Sequence, residues 1–276
     1  METMKKKRIG ILFGGQSAEH EVSLQSAKSV IEAINKDKYE LVLMGIERDG
    51  TWYLIDMAHF LRNADDPKSI SLEHGNKRLA LVPGSTGPHF ILADSGKAIA
   101  SPDVMFPVLH GPFGEDGTVQ GFLQLADLPF VGAGVRGSAI GMDKEIMKRL
   151  LEQAGIAQAN FRSYHYRDKA SISYDKMNSE LGMPCFVKPA NLGSSVGITK
   201  AHDQNAFDQA VEKAFRYDEK IVIEEYIRGR EIECSVLGNE TPVASLPGEI
   251  KPSHEYYSYQ AKYLDSNGAQ FAIPAA

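Results

Sequence analysis

The chain has 276 residues, 43% hydrophobic and 24% charged, with a formal net charge of −6 and a pI near 5.8. At roughly 100–200 residues per domain the length predicts two domains, or two with part of a third, and the composition is that of a globular protein able to bury a sizeable core. The acidic balance leaves no broad basic face for nucleic acid; no run approaches the ~20 apolar residues of a membrane span; and METMKKKRIGILFGG is too briefly apolar for a signal peptide, so a cytoplasmic protein is expected. Cys185 and Cys234, the only cysteines, lie in apolar runs outside any C-x-x-C pair and read as reduced core thiols.

Lys5 to Arg8 read as solvated residues ahead of a first strand, RIGILF (8–13), which Gly14-Gly15 stops. Ser23 reads as the N-cap of a helix over LQSAKSVIEAI, with Leu24, Ala27, Val30, Ile31 and Ile34 on one face. YELVLMGI (39–46) predicts a strand parallel to the first, and WYLI (52–55) its hairpin return. Residues 61–100 are polar, punctuated by Gly and Pro, and show no clear pattern. DVMFPVLHG (103–111) predicts a buried strand; TVQGFLQLADLPF (118–130) predicts a helix capped by Thr118, then a short strand at PFVG. Residues 1–141 thus read as an open α/β domain.

A second unit starts near Asp143. KEIMKRLLEQAGI predicts a helix ended by Gly155, and SYDKMNSELG (173–182) a helix capped by Ser173. CFVKP (185–189), GITKA (197–201), KIVIEEYI (220–227) and EIECSVLG (231–238) predict strands, with a helix at AFDQAVEKAFRY (206–217). Strands and helices do not alternate strictly, which fits α+β.

Several stretches carry chemistry. NLGSSVG (191–197) follows Lys188 and offers backbone N–H groups, two hydroxyls and a nearby cation to a phosphate; equally, it is the loop of a hairpin. FGGQSAEHEVS (13–23) opens a helix at a strand end, where open α/β sheets bind ligands. Its Glu19 suits a substrate ammonium or is a solvated loop carboxylate. LHGPFGEDGTVQG (109–121) sets His110 at another strand end, and three such glycine-rich ends favour a shared cleft. Lys144 opens a helix against the dipole preference and Lys188 ends an apolar strand; each meets an anion or snorkels. IVIEEYIRGREIE (221–233) carries Glu224, Glu225, Glu231 and Glu233, either a solvent face or a base- and ribose-binding hinge. YYSYQAKYLD (256–265) is a water-excluding lid or an aromatic surface loop.

Taken in order, GGQSAEHEVSLQSA (14–27), LHGPFGEDGTVQG (109–121), MDKEIMKRLL (142–151), FVKPANLGSSVG (186–197), EEYIRGREIE (224–233) and AKYLD (261–265) resemble the D-alanine–D-alanine ligases, over nearly the whole chain. The resemblance implies an ATP-grasp fold of α/β and α+β character: an N-terminal open α/β substrate domain (1–141), a small central domain (142–228), and the start of a C-terminal domain (229–276). It implies ATP-dependent joining of two D-alanines through an acylphosphate, for peptidoglycan synthesis. The alternatives are a D-alanine–D-lactate or D-alanine–D-serine ligase, or a nucleotide-binding fragment without catalysis. By position, Glu19 would hold the first D-alanine's ammonium in a trio with Ser194 and Tyr263. His110 and Lys262 would lie near substrate. Lys144, Lys188, Gly193, Ser194 and Ser195 would meet ATP phosphates, Glu224, Glu225, Tyr226 and Ile227 the adenine, and Glu231 the ribose. Tyr263 matches the dipeptide-forming branch. The magnesium ligands of the family would fall after the final AQFAIPAA, so little ligase activity is expected of this chain alone. A homodimer is expected, since dimers are usual in the family.

Overall fold

The computed structural model describes residues 5–84, 87–263, 265 and 267–276; Met1 to Met4 of the basic start and Leu264 of AKYLD lie outside the described residues. The chain divides into two compact units, Met1–Met147 and Lys148–Ala276.

The first unit is built on β1 (Lys7–Gly14), which enters α1 (His20–Ala33) and then β2 (Tyr39–Ile46) and β3 (Trp52–Ile55). The 61–100 stretch resolves into two short hairpins, β4 (Leu61–Arg62) with β5 (Ser71–Leu72), and β6 (Leu79–Leu81) with β7 (Phe90–Leu92). β8 (Val104–Leu109), α2 (Thr118–Leu125), α3 (Val135–Met142) and the start of α4 (Lys144–Gln153) follow. The sheet order is β3-β2-β1-β8, with β1 parallel to β2 and β8, and β3 antiparallel to β2. β1 is central, so both its faces are covered and it reads as a continuous apolar run. Ile9, Ile11 and Phe13 pack with Leu24, Ala27 and Ile31 of α1; Leu12 packs on the other face with Val119 and Leu123 of α2 and Phe90 of β7.

Two predicted caps are corrected. α1 begins a turn earlier than expected, with Glu19 in the N-cap position. Ser23 is fully buried inside the helix, where its hydroxyl accepts the Gly14 N–H (2.8 Å) and donates to the Val108 carbonyl. Its polar atom thus ties the ends of β1 and β8 together. Thr118 is the first helical residue of α2; left-handed Gly117 (φ 94°) precedes it, and Asp116 accepts the Thr118 N–H at 3.0 Å. PFVG forms only a single bridge, between Phe130 and Met105.

The second unit carries β9 (Phe161–His165), α5 (Tyr174–Leu181), β10 (Cys185–Pro189), β11 (Thr199–Ala201), α6 (Gln204–Ala214) and β12 (Lys220–Glu225). Its sheet, ordered β11-β10-β12-β9, is antiparallel throughout. Period-two alternation separates two faces. Cys185, Val187, Ile221 and Ile223 point to α5 and α6, where they pack with Met177, Phe207 and Val211. Ser173 caps α5, accepting the Lys176 N–H, and Gly155 takes a left-handed φ of 72° just after α4, both as expected. The predicted KIVIEEYI strand stops at Glu225. EIECSVLG splits into β13 (Glu231–Glu233) and β14 (Val236–Leu237), both exposed. β14 pairs with β15 (Val243–Ala244); β13 pairs with β16 (Gly248–Pro252), which pairs in turn with β17 (Ala269–Ala272) beyond α7 (Tyr259–Tyr263). Cys185 is buried as expected, but Cys234 is exposed, because the strand it should have joined does not form around it.

Candidate functional site

The chemistry of the second unit lies on the sheet face opposite its helices. Register sets Lys200, Phe186, Glu224 and Phe161 side by side across β11, β10, β12 and β9. Lys188, two residues on from Phe186, is diagonal to Glu224 and donates to its Oε1. Lys148 of α4 reaches the other carboxylate oxygen, with Nζ 3.0 Å from Oε2. Burial pushes the Glu224 carboxyl up, but Lys188 and then Lys148 outweigh it and hold it below the ordinary value. Two ammonium groups and one carboxylate leave this face with an uncompensated positive charge.

An aromatic wall borders the charges. Phe186 lies 6.2 Å from the Tyr226 ring and 5.5 Å from that of Tyr256. Lys200 stands 4.0 Å above Tyr226 and 3.0 Å from Glu255. Tyr226 and Ile227 follow the end of β12 and are exposed. Glu225 accepts from the Asn160 N–H at 2.8 Å, an arrangement that lowers its pKa. Glu231 stands on the separate β13 sheet, opposite Ile250.

NLGSSVG is the loop between antiparallel β10 and β11. Ser194 (φ 48°) and Ser195 (φ 60°) are both left-handed, a conformation that non-glycine residues adopt at a cost of about 1–3 kcal/mol. Side chains hold them there: Ser194 Oγ is 2.9 Å from Tyr263 Oη, and Ser195 donates to the Tyr257 carbonyl at 2.9 Å. Asp218 fixes the loop's base by accepting from the Asn191 N–H at 2.7 Å. Lys262 lies 4.8 Å over the Tyr257 ring.

In the first unit the ends of neighbouring β1 and β8 meet. Glu19 is 2% exposed and lies against Gly111, where any β-carbon would collide with its Oε2. The Ser17 hydroxyl donates to the His110 carbonyl at 2.7 Å, and Ser26 Oγ is 2.9 Å from His110 Nε2. A cavity of about 520 Å³ opens here, lined by Gly14, Gly15, Ser17, His110, Trp52 and Phe113 among others. Lys144 is the first residue of α4. Among the described residues no three His, Cys, Asp or Glu side chains are grouped to hold a metal ion.

Comparison with known proteins decides the family. The model described as D-ala D-ala ligase N-terminus matches residues 8–133, and that described as D-ala D-ala ligase C-terminus matches residues 150–276. The chain belongs to the D-alanine–D-alanine ligase family. It is 52% identical over 270 residues to the D-alanine–D-alanine ligase of Oceanobacillus iheyensis, covering 98% of this chain and 74% of that protein. It is 48% identical over 273 residues to D-alanine–D-alanine ligase A of Escherichia coli K12, covering 99% and 75%. Among solved structures it is similar to the VanG D-Ala:D-Ser ligase of Enterococcus faecalis (TM-score 0.79, 33% identity, 98% and 77% covered). It is also similar to the D-alanine–D-alanine ligase of Coxiella burnetii (TM-score 0.75, 37% identity, 88% and 68% covered). The fold is the ATP-grasp fold of this family, whose members are ADP-forming ligases. The family implies use of ATP and a divalent metal.

Lys148 and Lys200 join this charged face and were not among the residues singled out from the sequence. Lys148 sits in the quoted MDKEIMKRLL one helical turn after Lys144, on the same face. That i, i+4 spacing was the available signal.

Proposed function

We propose that the chain carries out ATP-dependent ligation of two D-alanines to D-alanyl-D-alanine for peptidoglycan synthesis, in the cytoplasm and as a homodimer. The carrying observation is the Lys188–Glu224–Lys148 cluster, buried at Glu224 and Lys148 and partly open at Lys188, beside an aromatic wall and a serine-rich loop. A cationic patch against a flat apolar wall suits a purine nucleotide, with phosphates toward Lys188 and NLGSSVG. Glu224, Glu225, Tyr226 and Ile227 then face adenine, Glu231 the ribose, and Lys144 a phosphate.

In this reading the first D-alanine binds at the β1 and β8 ends, its ammonium on Glu19 and His110 nearby. Its carboxylate oxygen attacks the γ-phosphorus of ATP; the bond to the β-phosphate oxygen breaks and ADP leaves. The amine of the second D-alanine then attacks the acyl carbon, phosphate departs with the C–O electron pair, and the amine loses a proton. The residues contribute positioning and charge neutralisation. Tyr263, Lys262 and the serines act as a cover that keeps water from the acylphosphate. D-alanine as second substrate is supported by the relatives at about 50% identity, which are named D-alanine–D-alanine ligases.

Calorimetric titration with ATP and with D-alanine tests the reading. Both are expected to bind, L-alanine is not, and Lys188→Met should weaken ATP about tenfold or more. Absence of ATP binding, or equal affinity in that variant, would overturn it. Phosphate release with D-alanine, D-serine or D-lactate in the second position should favour D-alanine.

A further inference from the structure

The Glu224 carboxylate is shared by two lysines in unlike settings. Lys148 is 8% exposed, and its side chain has little room to move. Besides Glu224 Oε2, its Nζ faces the Ala159 carbonyl at 3.4 Å and the Phe161 ring at 5.2 Å. Its own backbone carbonyl accepts from Gln158 Nε2 at 2.5 Å, which pins that turn of α4. The Lys188 side chain is 21% exposed and contacts Oε1 from the strand preceding the NLGSSVG loop. One lysine is fixed in the wall, while the other can turn toward solvent.

An anion that recruits Lys188 must take it from Glu224. Were Lys188 the sole partner, the exchange would leave a buried carboxylate uncompensated, which is strongly unfavourable. With Lys148 on the second oxygen, the carboxylate keeps a cation and a hydrogen bond throughout. We infer that Lys148 is a positioning residue of the nucleotide site: it holds Glu224 paired and in place so that Lys188 is released to the phosphates. Lys148 itself touches no phosphate. This inference rests on the nucleotide reading above and assigns a role to a side chain outside it.

The test is ADP affinity, by calorimetry, of the chain and four variants. Lys148→Met should weaken ADP about tenfold or more, because Lys188 becomes the sole partner of a buried carboxylate. Lys148→Arg, which retains a cation, should restore most of the affinity. In the Glu224→Gln background no carboxylate has to be compensated, so adding Lys148→Met should change ADP affinity less than about twofold. That double variant also keeps the question answerable if Lys148→Met alone does not fold. An equal loss in both backgrounds would mean that Lys148 contacts nucleotide directly and would overturn the inference. So would unchanged affinity in Lys148→Met, even with a lowered melting temperature. Failure of the unaltered chain to bind ADP would instead overturn the nucleotide reading, and this inference with it.

Discussion

Gly111 shows how one residue without a side chain sets the geometry of another with one. Its φ of 72° is strained for an L residue, and the space a β-carbon needs is occupied by the Glu19 carboxylate. Gly111→Ala should therefore destabilise the chain by about 1–3 kcal/mol in denaturant unfolding. An unaltered midpoint would mean that Glu19 moves aside freely. The cysteines differ as sharply. Burial pushes the Cys185 thiol up to about 11, while Cys234 lies exposed. Since the thiolate is the reactive form, alkylation at pH 8 should modify one thiol in the folded chain and two in denaturant. Modification of both in the folded chain would contradict the burial of Cys185. The sequence led to a buried reading of both thiols, because apolar neighbours look alike whether or not a strand closes over them.

At the scale of elements, local signals were legible where one side chain completes the feature. Ser173 and Gly155 end their helices as read, because a cap needs only a few neighbouring backbone groups. α6 has such a cap too: Asp203 accepts the Ala206 N–H at 2.9 Å. Asp203→Ala should cost about 1 kcal/mol and lower the melting temperature by a few degrees, and an unshifted melting curve would show the cap to be idle. Ser23 and Thr118 were read as caps by the same logic and are not. The Ser23 hydroxyl is claimed by Gly14 and Val108, 9 and 85 residues away, and that competition is invisible in a window along the chain. The strands after Glu225 were over-read for a related reason. Apolar residues such as Val236 and Leu237 stay exposed, so their pattern marks no burial.

At the scale of the molecule, each unit encloses its own core: one layer on each face of the first sheet, and one layer under α5 and α6 in the second. The first unit, residues 1–147, should melt cooperatively when expressed alone; a featureless transition would count against its independence. Acid should act on the second unit through Glu224. Its folded pKa lies below the ordinary 4.5, so its contribution is complete above about that pH and is lost as pH falls through the lowered value. A melting-temperature profile should decline below pH 4.5, and Glu224→Gln should flatten the decline. An identical slope in that variant would place the acid sensitivity elsewhere.

Sequence alone determined the central strands β1, β2, β8, β10 and β12, the helices α1, α2, α4, α5 and α6 and, through six ordered motifs, the family. Short-range chemistry suffices for this: period-two runs, glycine stops and caps depend on near neighbours. Tertiary structure alone decided which charges share a site. Lys148, Lys188 and Glu224 are separated by 40 and 36 positions, and only strand register with the placement of α4 brings them to one carboxylate. The meaning of a lysine lies in its partner, and partners on a sheet face are chosen by strands that the sequence lists far apart.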